Sequence, residues 1–390
     1  MTARTIAPRV AVALTVLTFG LAAVACGDDD SAGDSASANG TAAEGGVGEA
    51  KSNADKLYKG TYAEPPAESP PVKRGQNVWV ISCGQAIATC SAPANGAVEA
   101  AKLLGWENKL IDGKADPTAT ANAIRQAISA NADGIFVMAM DCEFIRQPLA
   151  EAKKAGVAVI GVESYDCNES DPSAEPLFAG VVTYVEGPYS DWIYAYGAAQ
   201  ADYIIAKTDG KAEVLNFFFD EVQAGKRFND GFVEQMKKLC PECKVDPVRF
   251  RLADLGTPAM QQKAEQALLK YPNANALQVP TDAAITLGVG AAVQASGRSA
   301  DILKMGGEGQ PPNMDLLRAG RQQDAGVGYP PAWEGYAAMD GLNRIFNGDK
   351  PVGSGIGLQL YDKDHNVPAS GGYEPPVDFQ AAFRKAWGIE

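Results

Sequence analysis

One stretch, residues 131–167, leaves this chain little freedom of fold. Asn131-Ala132-Asp133-Gly134 leads into a short apolar run, 135–140, and a second run, 157–162, follows at about the length of a helix. Apolar runs without polar alternation are strands covered on both faces, as in a parallel sheet. Between them Phe144, Leu149, Ala152 and Ala155 approximate a helical stripe. Lys153 and Lys154 suit the negative end of the helix dipole, and Gly156 stands where a left-handed C-cap is needed. The unit is a right-handed βαβ crossover. Open parallel sheets bind ligands beyond the carboxyl ends of their strands, and here those ends read Asp141-Cys142 and Glu163-Ser164-Tyr165.

The same alternation extends both ways. Strands are expected at 78–82, 107–111 and 178–184, with helices from near Ala94 to 104, at 119–130 and at 190–206. Further strands at 213–219, 245–251, 274–279, 302–306 and 324–329 alternate with helices at 226–239, 258–270, 282–295, 313–319 and 332–346. A Gly- and Pro-rich tail holds one strand-like piece, 356–361, and a closing helix, 379–387. This is the pattern of an α/β chain with two doubly wound, Rossmann-like lobes, for which 390 residues and 46% hydrophobic content are sufficient.

The residues exclude much chemistry. A single histidine, His365, removes Ser-His-Asp and multi-histidine metal sites, and its setting among Asp362, Lys363, Asp364 and Asn366 is that of a solvated loop. A net charge of −14 argues against nucleic acid as a partner. Gly306-Gly307-Glu308-Gly309 and Gly353-Ser354-Gly355-Ile356-Gly357 lack both dinucleotide and P-loop spacing, so no cofactor and no metal is expected. Glu163, Asp282 and Glu308 can approach one cleft, as paired acids do in an exported glycoside hydrolase, or they can accept hydrogen bonds from a ligand. No reactive group accompanies them, which favours binding.

The amino end reads as an export signal. Arg4 and Arg9 precede an uncharged run, 10–25, shorter than the ~20 residues of a bilayer span. Ala23-Val24-Ala25-Cys26 resembles a lipobox, so residues 1–25 are expected to be removed and Cys26 to carry lipid on the outer face of the cytoplasmic membrane. A plain signal-peptide cut after Ala-x-Ala is the alternative. Residues 26–75, rich in Gly, Ala, Ser, Asp and Pro, are expected to be a disordered tether. Six cysteines remain after Cys26. Outside the cytoplasm they are expected to form disulfides, with Cys83–Cys90, Cys142–Cys167 and Cys240–Cys243 favoured by sequence and sheet position. Cys240-Pro-Glu-Cys243 alternatively reads as a redox motif or half a zinc site.

The order of elements, with Asn131–Ile135, Ala155-Gly156-Val157-Ala158-Val159-Ile160, Asn229-Asp230-Gly231-Phe232, Thr281-Asp282-Ala283-Ala284 and Gly306-Gly307-Glu308-Gly309, resembles the type I periplasmic sugar-binding family, ribose-binding-like, over 76–350. The resemblance implies two lobes joined by hinge strands: 76–182 plus 329–350, and 183–328 plus 351–390. It also implies a small polar, carbohydrate-like ligand, a permease of an ABC importer as partner, or a sensor kinase or chemoreceptor in its place, and no catalysis. The matching positions are Glu163, Lys226 or Arg227, Thr281, Asp282, Glu308 and Tyr329, although the family has Asp-Arg where Glu163-Ser164 stands and glutamine where Tyr329 stands. Asp141 at its strand end and Gln85 and Thr89 in the loop after the first strand complete the expected site. That loop, Ile87-Ala88-Thr89-Cys90, lacks the family's paired aromatics.

Overall fold

Along β1, Asn77–Ser82, Val78 and Val80 enter one apolar cluster while Trp79 and Ile81 enter another, as the two-residue period of a strand requires. The same division recurs in β3, Gly134–Met138, between Phe136 with Met138 and Ile135 with Val137. With β2 (Glu107–Asp112), β4 (Ala158–Val162) and β5 (Gly180–Val181) these strands form an all-parallel sheet in the order β2-β1-β3-β4-β5. The computed structural model describes residues 37–389, so Cys26 and the expected signal lie outside the described residues. A second sheet contains β6 (Glu213–Phe218), β7 (Lys244–Arg249), β8 (Ala276–Gln278), β9 (Leu303–Gly306), β10 (Ala325–Gly328) and β11 (Gln359–Asp362). Its order is β11-β10-β9-β8-β6-β7, and β11 alone runs antiparallel. Both sheets reverse strand order beside their first strand, so each has a switch point that opens toward the other lobe.

Helices cover both sheets. In each lobe one pair crosses closely because glycine faces glycine: Gly96 against Gly335 in helices Ala88–Leu103 and Pro331–Phe346, and Gly197 against Gly231 in helices Tyr189–Lys207 and Gln223–Leu239. A Cβ at any of the four would collide with backbone atoms of the partner helix. The three disulfides Cys83–Cys90, Cys142–Cys167 and Cys240–Cys243 are all formed.

Several expectations are corrected. The first helix begins at Ala88 rather than near Ala94, with Pro93 inside it, because the Cys83–Cys90 disulfide holds its first turn. Of the strand expected at 178–184 only Gly180–Val181 pairs; beyond it the chain leaves the sheet to cross between lobes. That crossing bonds to the returning chain through Ser354 N to Thr183 O, 3.1 Å, and Val185 N to Ile356 O, 2.9 Å. The strand expected at 356–361 therefore starts only at Gln359. The helix over 282–295 contains a wider π turn at Ile285–Val289, where Gly288 admits the backbone of Gln261.

The expected tether is ordered from Ser37. A helix, Ser37–Lys59, buries Ala50 and Ala54 against the second lobe and pairs Lys51 with Asp209 at 2.6 Å. Residues 60–71 then follow the crossing: Thr61 N donates to Leu358 O at 2.9 Å and Ala63 N to Gly355 O at 3.0 Å, and Asn343 Nδ2 donates to Pro70 O at 2.9 Å. The closing helix Phe379–Ala386 also departs from expectation. It packs on Tyr336 of the helix Pro331–Phe346, which itself lies against β4 and the helix Ala88–Leu103, so 351–390 does not all belong to the second lobe. Among the described residues no helix is long and apolar enough to cross a membrane.

Candidate functional site

Beyond β3 and β4 the backbone turns through the left-handed region on residues with side chains, Ala139 and Glu163, each at φ 48°. These are equivalent positions, since Met138 pairs with Val162. Such strain persists where surrounding structure imposes it, and it gathers at functional sites. Here the Cys142–Cys167 bond, with Cα atoms 5.0 Å apart, clamps the two strand ends. Asp141 is buried and accepts from Tyr165 N at 3.0 Å. Burial pushes its carboxyl up to about 6, and it also faces the amide of Gln223 in the opposite lobe.

In the second lobe the ends of β8 and β9 are tied to each other. Asp282 accepts from the amides of Gly307, Gly309 and Gln310, each at 2.8 Å, while Glu308 accepts from Asp282 N at 2.6 Å. Thr281 caps the helix start by accepting from Ala283 N and also bonds to Glu308. Burial raises the pKa of both carboxyls, and the amide donors pull that of Asp282 back. Asp282 thus fixes the Gly306–Gly309 loop, and one oxygen of Glu308 is engaged inside its own lobe.

Between the lobes lies an aromatic cluster. In the helix Tyr189–Lys207, Tyr189, Trp192 and Tyr196 fall on one face. Trp192 stacks on Tyr184 at 4.8 Å and on Tyr196 at 5.7 Å, and meets Tyr329 edge-on at 4.8 Å. Tyr165 meets Tyr189 edge-on at 5.7 Å. Two acids enter this cluster. Glu163 accepts at 3.0 Å from the hydroxyl of Tyr329, the residue that follows β10 where the chain crosses back, and Glu334 accepts from the Tyr184 hydroxyl at 2.8 Å. The two carboxyls are close enough to share a hydrogen bond when one is protonated. Burial pushes Glu163 up to about 7, and burial with the neighbouring Glu163 holds Glu334 well above the usual range. Three buried polar atoms here have no partner: Trp192 Nε1, Tyr165 Oη and Glu334 Oε2. A cavity of about 600 Å³ meets the cluster at Tyr329 and Glu308 and is lined further by Gln310, Ala92 and the tail from Gly372 to Gln380. A larger hollow, about 780 Å³, lies at the amino ends of β8 and β9 near Lys207 and Arg321, the wrong edge of the sheet for a ligand of this fold.

Of the residues expected from sequence, Asp141, Glu163, Thr281, Asp282, Glu308 and Tyr329 come together. Lys226 and Arg227 do not join them. Lys226 is exposed, and Arg227 lies over the Tyr194 ring at 4.3 Å with its Nε on Ser190 O. Gln85 stays in the loop after β1, where its buried Nε2 is unpartnered, and Thr89 lies in the first turn of the helix Ala88–Leu103. His365 is an exposed loop residue whose ring bonds to Asp362. Cys142, Cys167 and Asp166 cluster, but the disulfide removes both thiolates as ligands. Sequence reasoning missed Tyr184, Tyr189, Trp192, Tyr196 and Glu334. The available signal was an aromatic stripe at i, i+3 and i+7 directly after a chain crossing.

Comparison with known proteins follows this geometry. A family described as periplasmic binding protein domain matches residues 78–350. Among solved structures, a solute-binding protein of an ABC transporter from Agrobacterium vitis with bound allitol is 20% identical, with a TM-score of 0.63 over 74% of this chain and 96% of that one. One from Mycobacterium smegmatis with bound glycerol is 18% identical, with a TM-score of 0.64 over 77% and 100%. The binding component of an arabinose transporter from a Shewanella species, bound to L-arabinofuranose, is 17% identical, with a TM-score of 0.62 over 80% and 95%. At these identities the likeness is one of fold. No curated protein matches the chain by sequence.

Proposed function

From the premise that this chain belongs to the periplasmic binding protein domain family, we propose that it is an extracytoplasmic receptor that captures a small polar, carbohydrate-like solute between its lobes and presents it to the permease of an ABC importer. The observation that carries this reading is the meeting of the carboxyl ends of β4 and β10, at Glu163 and Tyr329, on one cluster of acids and aromatic rings with unpartnered polar atoms inside it. Glu163, Tyr329, Glu334, Asp141 and Trp192 are the proposed ligand contacts, with Gln85 and Thr89 at the rim. The fold of allitol-, glycerol- and arabinofuranose-bound proteins supports a polyhydroxylated solute. The receptor is not an enzyme in this reading: Glu308 and Asp282, the acids that a hydrolase would use, are held by each other's backbone and loop. Lipid on Cys26 holds it at the membrane.

Native mass spectrometry of protein purified without denaturation tests the receptor. A small molecule should leave on unfolding, and adding it back should raise the melting temperature without any product forming. Turnover of that molecule would overturn the reading. Cys26→Ser should move the protein from membrane to soluble fractions, and unchanged partition would remove the anchor.

A further inference from the structure

The acids between the lobes have no ion-pair partner among the described residues: no lysine, arginine or histidine there pairs with Asp141, Glu163, Asp282, Glu308 or Glu334. The cavity that Glu308 and Tyr329 border repeats the pattern, for its charged lining residues are Glu308, Glu374 and Asp378, with no basic side chain. Arg227, the nearest basic candidate from sequence, is committed to the Tyr194 ring, Ser190 O and Asp191.

A second observation points to an occupant. Glu334, wholly buried, has one carboxyl oxygen on the Tyr184 hydroxyl and the other with no neighbour to satisfy it but the Glu163 carboxyl, and Trp192, 1% exposed, has a free indole N–H. A buried carboxylate oxygen and a buried donor are both costly to leave unsatisfied. Together they ask for a ligand that donates to the first and accepts from the second. The rings of Tyr184, Trp192, Tyr196 and Tyr329 around the acids add faces that attract positive charge.

Resting on the receptor reading, we infer that the solute is a hydroxylated organic cation: a protonated amine on a polyhydroxylated skeleton, such as an amino sugar or amino polyol. The ammonium meets Glu163 and Glu334, where charge-assisted hydrogen bonds are the stronger kind. A hydroxyl or ring oxygen accepts from Trp192 Nε1. Lysine is not needed for recognition, since the ligand itself supplies the cation that the side chains lack.

Titration calorimetry at neutral pH with matched sets tests this: glucosamine, N-acetylglucosamine and glucose; the galacto equivalents; and 1-amino-1-deoxyglucitol beside glucitol. At least one free amine should bind, with its acetylated and hydroxyl counterparts weaker by roughly a hundredfold. Glu334→Gln and Glu163→Gln should each weaken the amine by roughly ten- to a hundredfold while the variants melt cooperatively. If a neutral member binds as well as its amine or better, the cation inference fails and the receptor reading stands. If no member binds and freshly purified protein releases no small molecule on unfolding, both fail.

Discussion

Glu308 and Glu163 occupy corresponding places at the ends of strands, yet their surroundings assign them different tasks. Glu163 reaches Tyr329 at the chain crossing after β10, whereas Glu308 accepts the amide that opens the helix turn Asp282–Ala284 in its own lobe. Glu308→Ala should therefore lower stability by about 1–3 kcal/mol in urea titration, because the Asp282 amide is left buried without an acceptor. Tyr329→Phe should instead act mainly on ligand affinity. An unchanged unfolding midpoint for Glu308→Ala would remove its structural role. The strand-end acids were legible because the βαβ pattern itself locates strand ends. Trp192, Tyr196 and Glu334 were not, since aromatic residues at helical spacing read equally well as core, and a glutamate just after Pro-Pro reads as a first-turn acid. Arg227 is a related case. A motif fixes a position along a helix, but the cation–π contact with Tyr194 decides where the Arg227 side chain goes.

The helix Tyr189–Lys207 links packing to recognition. Its contact with the helix Gln223–Leu239 depends on Gly197 and Gly231, and the same helix carries Tyr189, Trp192 and Tyr196 to the cleft. In Gly197→Val the new side chain meets the Phe228 carbonyl and the Phe232 amide, so the helices must separate. The expected loss is about 1–3 kcal/mol of stability, with weaker ligand binding because the aromatic face shifts too. Denaturant titration and calorimetry on one preparation check both, and normal values in both would mean that the crossing tolerates a side chain. The helix Ser37–Lys59 shows why element-level reading failed elsewhere. Its buried residues include Ala50 and Ala54, whose small apolar areas add little hydrophobic signal to a Gly- and Ser-rich background, yet fit close against a lobe. The regular alternation from 77 to 346 was readable because long apolar runs fix the strands whatever the loops do.

At the scale of the molecule, proton binding should set the stability of the empty receptor. Burial raises Glu163 to about 7 and Asp141 and Asp202 to about 6, against roughly 4 in an unfolded chain. Between those values the folded state holds protons that the unfolded state has released, so stability falls as pH rises through about 4 to 7. Asp362 works in the opposite sense. Burial would raise its carboxyl, but Tyr58, His365, the Asp364 amide and Lys207 outweigh that and hold it at about 2, so its contribution is lost as pH drops from about 4 to 2. Urea titrations of ligand-free protein should therefore show higher stability near pH 5 than near pH 7.5, with decline below pH 4. A flat or rising curve from 5 to 7.5 would mean that the cleft acids are not buried in the empty form.

The lining without basic residues also decides what stays outside. A sugar phosphate or a uronic acid carries hydroxyls too, but in that cavity it would have to shed water from an anion beside Glu308, Glu374 and Asp378 with no cation to receive it. Phosphorylated solutes would then be turned away by the loss of their water as much as by repulsion, leaving the receptor to unphosphorylated solute.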